Sequence, residues 1–482
     1  MLMGIPMNFL AIDLKFSKLL CFYHYLVLYI MKKSFHIQYI LRWGLLFLVY
    51  LIPSHLIAQR HQTLLKKVDR IVENKYPYLD ELYKYLHKNP EISFQEKNTS
   101  KRVAQELKKL GFEVTENFGG FGVVGVFKNG QGPTIMVRAD MDALPVKELT
   151  GLPYASTKTT KDDLGNEVPV MHACGHDIHM TVLVGTAQAL VALKSSWKGT
   201  LLFIGQPAEE RSGGAIAMLK EGLFQKFPLP DYALSLHSSA TIAAGKVGYR
   251  EGAALANVDM VDIFIQGEGG HGAYPHTTKD PIVLASRIVL SLQTIVSRVI
   301  SPFEPAVVTV GAFHAGTKHN IIPGKAHLQL TLRSYTDEVR NKTIAEIRRM
   351  VKHIAISAGI PENKLPQIKI RAEYTPVTLN NVTLTRRMKK VAEQMIGKEN
   401  VSNTAAVMAG EDFGRYGRTK AKIPICLYWV GTVAPKKLAE YKKANKQLPS
   451  LHSAYFSPVP EPSIKAGVKT MAASVLDLLL NK

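Results

Sequence analysis

Apolar residues recur at helical spacing from Thr63 to Leu86: Leu64, Leu65, Val68, Ile71 and Val72, then Leu79, Leu82 and Leu86. Pro77 is expected to kink or split that helix, and Asn89-Pro90 to stop it. Thr99 to Leu110 predicts a second amphipathic helix, closed by Gly111. Strands are expected at Val123–Phe127 and Thr134–Val137, the second running into Arg138-Ala139-Asp140-Met141-Asp142-Ala143-Leu144-Pro145. His179 to Leu193 then reads as an apolar helix, and Thr200–Ile204 as a buried strand leading to Gln206-Pro207-Ala208-Glu209-Glu210. Gly213 to Leu223 predicts a helix, and Tyr232–Leu236 a strand that ends on His237. Strands alternating with helices, each releasing polar residues at the strand end, predict an α/β fold with a mixed, mainly parallel sheet and a site at one edge.

The pattern then changes. The order becomes strand (Val258–Ile265), helix (Asp280 to Val299), strands (Ala306–Phe313 and Ala326–Leu332), helix (Asp337 to Ala358) and strand (Gln367–Ala372). This β-α-β-β-α-β order is the ferredoxin-like arrangement. A smaller α+β domain at 254–375 is therefore expected to interrupt the first, whose two parts would be 59–253 and 376–482. The second part predicts a helix at Val382–Ile396, a strand at Ile423–Val430 and a C-terminal helix at Ile464–Leu480.

At 482 residues the chain is too long for one simple core, which agrees with two domains. Its 46% hydrophobic and 21% charged residues are those of a globular protein. The net charge of +21 raises the question of nucleic acid. The basic residues are spread along the chain without an aromatic-interleaved block, so a solvated basic surface that favours anionic substrates is the better reading. Three cysteines (Cys21, Cys174, Cys426) give no disulfide framework, and Cys426 reads as a small core residue.

Residues 1–58 differ from the body. From Met31 they read as a secretory signal, with a basic start (Lys32, Lys33, Arg42), an apolar run (Gly44 to Ile52) and a short end at Leu56-Ile57-Ala58. Met31 is then the expected true start. Export to the periplasm follows, with no stable membrane insertion after cleavage; the alternative is an uncleaved anchor.

The chemistry centres on Met171-His172-Ala173-Cys174-Gly175-His176-Asp177-Ile178-His179. Cys174 and His176 flank a glycine, so a tight bend can aim thiolate and imidazole at one point. Such ligands suit zinc, manganese, nickel and cobalt. The adjacent Glu209 and Glu210 follow a buried strand, an unusual place for surface charge. A metal hydrolase needs one carboxylate as ligand and one to move a proton, and neighbouring glutamates can divide those roles. His237 and the late His452 extend the set.

The chain resembles the metallo-amidohydrolases typified by hippurate hydrolase, plant auxin–amino-acid conjugate hydrolases and N-acetyl-diaminopimelate deacetylase, relatives of aminoacylase and the glutamate carboxypeptidases. The resemblance runs from about residue 75 to the C-terminus. It rests on eight motifs in the family's order. They are His87-Lys-Asn-Pro-Glu91, the Arg138 to Pro145 run, His172-Ala-Cys-Gly-His-Asp177, Pro207-Ala-Glu-Glu210, Gly269-Gly-His-Gly-Ala-Tyr-Pro275, Ala315-Gly-Thr-Lys-His-Asn-Ile-Ile-Pro323, Gly410-Glu-Asp-Phe413 and Leu451-His452.

The resemblance implies a dinuclear metallopeptidase-like catalytic domain holding two divalent metal ions, Mn2+ or Zn2+, with Ni2+ or Co2+ as alternatives. Cys174, His176, Glu210, His237 and His452 would be the ligands. Glu209 would be the general base, with Asp142 orienting the site. His271 would reach the substrate carbonyl oxygen, and Asn320 and Arg333 would bind the substrate, Arg333 by bidentate geometry on a carboxylate. The smaller domain would also make a homodimer, in which the His271 equivalent can serve the neighbouring site. The chain departs from the family at Ser238-Ser-Ala, where a proline is usual, at Ala409, where a glycine is common, and at Ser457-Pro-Val-Pro. The expected activity is hydrolysis of the amide bond of N-acyl amino acids or similar conjugates, with a dipeptidase or carboxypeptidase as rival. A non-catalytic binding protein would lack Glu209, and a nucleic-acid binder would show steep salt dependence.

Overall fold

The computed structural model describes residues 23–29, 31–32 and 62–480. The chain falls into two units, Met1–Lys67 and Val68–Lys482. In the first unit residues 23–29, 31–32 and 62–67 are helical; the expected signal core and cleavage point lie outside the described residues.

The second unit opens with helix α1 (residues 68–88) and α2 (Lys97–Lys109). Pro77 does not break α1. Val68, Val72, Leu79, Leu82 and Leu86 form one stripe that is at most 1% exposed. Burying that stripe outweighs the roughly 3 kcal/mol that an interior proline costs a helix. The helix stops before Asn89-Pro90, as the sequence predicts.

The larger sheet has eight strands: β1 (Glu113–Thr115), β2 (Val123–Lys128), β3 (Thr134–Asp140), β4 (Thr200–Gln206), β5 (Tyr232–Ala243), β6 (Val247–Tyr249), β11 (Val401–Asn403) and β12 (Ile425–Val433). Their spatial order is β1-β2-β4-β3-β5-β12-β6-β11, and the central four, β4-β3-β5-β12, are mutually parallel. Strands β3 and β4 are buried on both faces, which is why they read as unbroken apolar runs. Ile135, Val137, Leu201 and Phe203 enter the core that also holds residues of α1, α3 (His176–Ala192) and α8 (Pro460–Leu480). Met136, Leu202 and Ile204 enter a second core on the opposite face, with Ala215 and Met218 of α4 (Gly214–Lys220). The polar residues after β3 and β4 therefore emerge together at one end of the sheet, where open α/β sheets place their sites.

Strand β5 corrects one expectation. It does not end on His237 but runs on to Ala243, pairing with β12 through His237, Ser238 and Ser239. Ser238, in the stretch where the family usually has a proline, keeps its N–H, which donates to His179 Nε2 at 2.7 Å.

A second, four-stranded antiparallel sheet lies between residues 257 and 370. It is built from β7 (Asn257–Gln266), β8 (Ala306–Ala315), β9 (Lys325–Ser334) and β10 (Gln367–Ile370), in the order β8-β9-β7-β10. Helices α5 (Pro281–Thr294) and α6 (Asp337–Ser357) supply Leu284, Ile288, Ile347 and Val351 to a separate core with Val261, Ile263, Leu328 and Leu330. With the chain order β7-α5-β8-β9-α6-β10, this is the ferredoxin-like fold. The chain enters and leaves it through paired segments: Gly252–Leu255 lies antiparallel to Thr378–Asn380, and Val258 bridges Thr375. Beyond it, α7 (Val382–Ile396) returns the chain to the larger sheet.

One buried ion cluster pins α1 to the helix that carries the site. His87 lies with Nδ1 2.6 Å from Asp177 Oδ2 and Nε2 3.1 Å from Glu148 Oε1, and the imidazole and both carboxylates have no solvent exposure. Burial opposes its charge, but the bonds to Asp177 and Glu148 outweigh burial and push its pKa up to about 9. The folded value lies above the ordinary histidine value of about 6.5. The stabilisation is therefore complete below about pH 6.5 and is lost as pH rises through about 9. His87→Gln leaves two buried carboxylates without their cation and should cost about 3–5 kcal/mol at neutral pH. Urea unfolding of both proteins across this range checks it: the gap should narrow above about pH 9, and a pH-independent gap would contradict the assignment.

Candidate metal centre

Gly175 makes the bend between Cys174 and His176. Its φ is +80°, and a Cβ there would lie 2.6 Å from Ser238 Oγ, so only glycine fits. The bend opens α3 at His176 and leaves Cys174 Sγ 3.6 Å from His237 Nε2.

Both histidines are oriented by backbone carbonyls. His176 Nδ1–H donates to the Asp142 carbonyl at 2.7 Å, and His237 Nδ1–H to the Ser238 carbonyl at 2.8 Å. Each ring thus turns Nε2 toward the centre, as ligating histidines do. His176 Nε2 is buried with no hydrogen-bond partner. It faces oxygens of Asp140 at 3.7 Å, Glu210 at 3.9 Å and Glu209 at 4.0 Å.

Glu209 and Glu210 lie in the turn after β4. The Asp142 carboxylate accepts both their backbone N–H groups at 3.0 Å and the Ser93 hydroxyl at 2.6 Å. His452 arrives on a distant loop with φ +65°; its N–H bonds the Ala173 carbonyl at 2.9 Å, and its Nε2 lies 3.4 Å from Glu210 Oε1. The five expected ligands and Glu209 thus form three overlapping groups: Cys174/His176/His237, Cys174/Glu210/His452 and His176/Glu209/Glu210. Within each, the donor atoms lie within 4.8 Å of one another.

The electrostatics fit divalent cations. Burial, then Glu210, Glu209 and Asp140, pushes the Cys174 thiol well above its usual range. Burial, then Glu411, Glu210, Asp412 and Asp140, does the same to Glu209. Burial pulls His176 down, but Asp140 and Asp142 outweigh it and hold the ring protonated up to about pH 10. Protons on these groups neutralise an excess of carboxylates, the task a cation takes over when it binds. A mixed thiolate, imidazole and carboxylate donor set, with a buried imidazole nitrogen left unpartnered, suits a borderline divalent metal.

The remaining site residues stand apart. His271 lies on a two-residue strand, Gly270–His271, paired with Ile321–Ile322, and the Gly272 N–H bonds the Asn320 carbonyl at 2.9 Å. His271 and Asn320 are thus neighbours, and both are exposed. His271 Nδ1 accepts the Ala273 N–H at 3.0 Å, so the neutral ring carries its proton on Nε2. Arg333, on β9, is half-buried and donates to Thr331 Oγ1 and the Leu332 carbonyl. Among the described residues, no hydrogen bond or ion pair joins any of these three to the metal group.

Sequence reasoning passed over the layer beneath. Arg138 is fully buried and ion-pairs with Asp140 at 2.7 Å and with Glu411 and Asp412 at 3.0 Å each. His179 donates Nδ1–H to Asp140 Oδ1 at 2.5 Å and accepts the Ser238 N–H on Nε2 at 2.7 Å. Both its nitrogens are used, and it holds the backbone beside His237. The signal for this layer was present in a buried strand carrying Arg138 and Asp140 on one face.

The sequence profile of peptidase family M20/M25/M40 matches residues 136–477. Hippurate hydrolase of Campylobacter jejuni is 42% identical over 338 residues, 70% of this chain and 84% of that protein. Thermostable carboxypeptidase 2 of Saccharolobus solfataricus is 36% identical over 378 residues, 78% of this chain and 91% of its own. Among solved structures, a dinuclear metal-binding peptidase of the M20 family from Bacillus subtilis superposes with a TM-score of 0.66 at 28% identity, covering 84% of this chain and 99% of that one. The clustered thiol, imidazoles and carboxylates, the sheet that presents them and these likenesses agree, and the chain belongs to peptidase family M20/M25/M40 as a metal-dependent amidohydrolase.

Proposed function

We propose that this enzyme hydrolyses the amide bond of N-acyl amino acids or similar conjugates. Cys174, His176, Glu210, His237 and His452 would hold two divalent cations, Mn2+ or Zn2+ in the first instance. The bound cations supply Lewis acidity to the amide carbonyl and acidify water. Glu209 takes the proton of the attacking water and delivers it to the leaving amine. Asp142 fixes the two glutamates through their backbone amides. His271, with its proton on Nε2, donates to the developing oxyanion once the second sheet covers the site, from the same subunit or from a dimer partner. Asn320 and Arg333 bind the substrate, Arg333 through the free carboxylate of an N-acyl amino acid.

The observation that carries this reading is the division between the two glutamates. Glu210 lies with Cys174 and His452, its Oε1 3.4 Å from His452 Nε2, whereas Glu209 groups with His176 and Glu210 and is held well above its ordinary pKa range by burial, then by Glu411 and Glu210. A group so placed is suited to exchanging a proton. The likeness to hippurate hydrolase favours an N-acyl amino acid, and the carboxypeptidase relative keeps a peptide substrate as the second reading.

A panel of N-acetyl and N-benzoyl amino acids beside free dipeptides separates the two, assayed with metal-loaded mature protein. Conjugates should turn over faster. Faster hydrolysis of free dipeptides would replace the first reading with the second.

A further inference from the structure

Ala208, directly before the two glutamates, has φ +49°, in the left-handed region where a side chain is strained. Phe94 is strained in the same way, with φ +64°. The two belong to segments more than a hundred residues apart, and one side chain joins them. Glu96 is fully buried, and its Oε1 accepts the Ala208 N–H at 2.8 Å and the Phe94 N–H at 3.0 Å. Its Oε2 has no hydrogen-bond partner among the described residues.

Three consecutive amides are therefore held by two buried carboxyl groups: Ala208 by Glu96, then Glu209 and Glu210 by Asp142. The Ala208 carbonyl accepts from Gly213 and Gly214 at 3.0 and 3.1 Å, which closes the turn behind the glutamates. Asp142 fixes where the two residues begin. The peptide ahead of them sets the direction from which Glu209 enters the cleft, and that peptide is held in a strained conformation by Glu96.

We infer that Glu96 is a positioning residue for Glu209: by capturing the Ala208 and Phe94 amides on one oxygen, it holds the left-handed turn that aims the general base. The inference rests on the reading of Glu209 as base. Without Glu96 the buried Ala208 N–H and the Phe94 N–H lose their acceptor, and the left-handed turn at Ala208 keeps only the bonds that its carbonyl accepts from Gly213 and Gly214. Glutamine keeps the accepting oxygen and changes only the one that binds nothing. Burial, with Asp142 next in effect, pushes Glu96 up to about 8, so at neutral pH it already resembles a neutral amide.

The test compares Glu96→Ala, Glu96→Gln and Glu96→Ala combined with Ala208→Gly, with metal content, kcat and KM measured for each. Glu96→Ala should keep its metals and its KM while kcat falls about a hundredfold, the scale of a base displaced by about an ångström. Glu96→Gln should stay within about threefold of wild type, because the accepting oxygen remains. Glycine adopts the left-handed turn without a strut, so Ala208→Gly should restore about tenfold to Glu96→Ala. A purely structural role would lower stability and metal content and would not be rescued by Ala208→Gly, and that result overturns the inference. So does wild-type kcat in Glu96→Ala while Glu209→Gln is inactive. An active Glu209→Gln would instead remove the reading of Glu209 on which the inference stands.

Discussion

Glu209→Gln should keep both metals and lose turnover by about a hundredfold to ten-thousandfold, the range that a positioned base contributes. Glutamine keeps the shape of the side chain and its place in the turn, because Asp142 holds that turn through backbone amides that the substitution does not touch. What disappears is the ability to accept a proton. In the metal-free site burial, then Glu411, Glu210, Asp412 and Asp140, hold Glu209 well above its ordinary range; the proposed role asks its carboxylate to accept one proton and pass it to the leaving amine. Glu210→Gln is the built-in control. Its side chain lies with Cys174 and His452, so replacing an anionic oxygen with a neutral one should weaken metal binding first and activity as a consequence. Excess metal should partly restore Glu210→Gln and leave Glu209→Gln inactive. Elemental analysis beside kinetics decides it: metal rescue of Glu209→Gln, or equal loss in both variants with metals retained, would reverse the roles.

Much of this architecture was legible because burial writes itself into the chain. Strands β3 and β4 are buried on both faces and read as apolar runs; the order of elements from Asn257 to Ile370 could be read as ferredoxin-like because its helices keep their apolar stripes. The site was legible where residue type is rare for its surroundings, as with a cysteine between histidines or two glutamates after a buried strand. Three things escaped. Pro77 was expected to kink or split a helix that tertiary burial keeps unsplit. His237 was placed at a strand end, though the next two residues continue the ladder. Arg138, His179, Glu96, Glu411 and Asp412 drew no role, since a buried ion pair needs partners from segments that only the fold brings together. Glu411 is 273 residues from Arg138 and meets it only because β3 and the 410–413 loop converge beneath the metal group.

Cys174→Ser should abolish most of the stabilisation that metal gives the wild-type protein while leaving the metal-free protein almost unchanged. In the metal-free state burial, then Glu210, Glu209 and Asp140, keeps the thiol protonated, so serine replaces one small neutral group with another. Cys174 is 5% exposed, and the Gly175 bend and the hydrogen bond from His452 N–H to the Ala173 carbonyl are made by other residues. The fold has no need of the sulfur. On the proposed ligand set metal binding does, because a thiolate is a far stronger ligand than a hydroxyl for a borderline cation, and Cys174 belongs to both the group with His176 and His237 and the group with Glu210 and His452. A ligand that binds only the folded state stabilises it by about 2.7 kcal/mol at a hundredfold excess over its dissociation constant. The substitution should remove most of that increment, so melting temperatures of the two proteins should coincide with chelator present and separate when Mn2+ or Zn2+ is added. Elemental analysis provides the second readout, since loss of a ligand common to both groups should lower the content of both ions. If Cys174→Ser gains as much thermal stability from metal as the wild type and retains the same metal content, the sulfur is not a ligand and the two groups are held together by His176 and Glu210 alone.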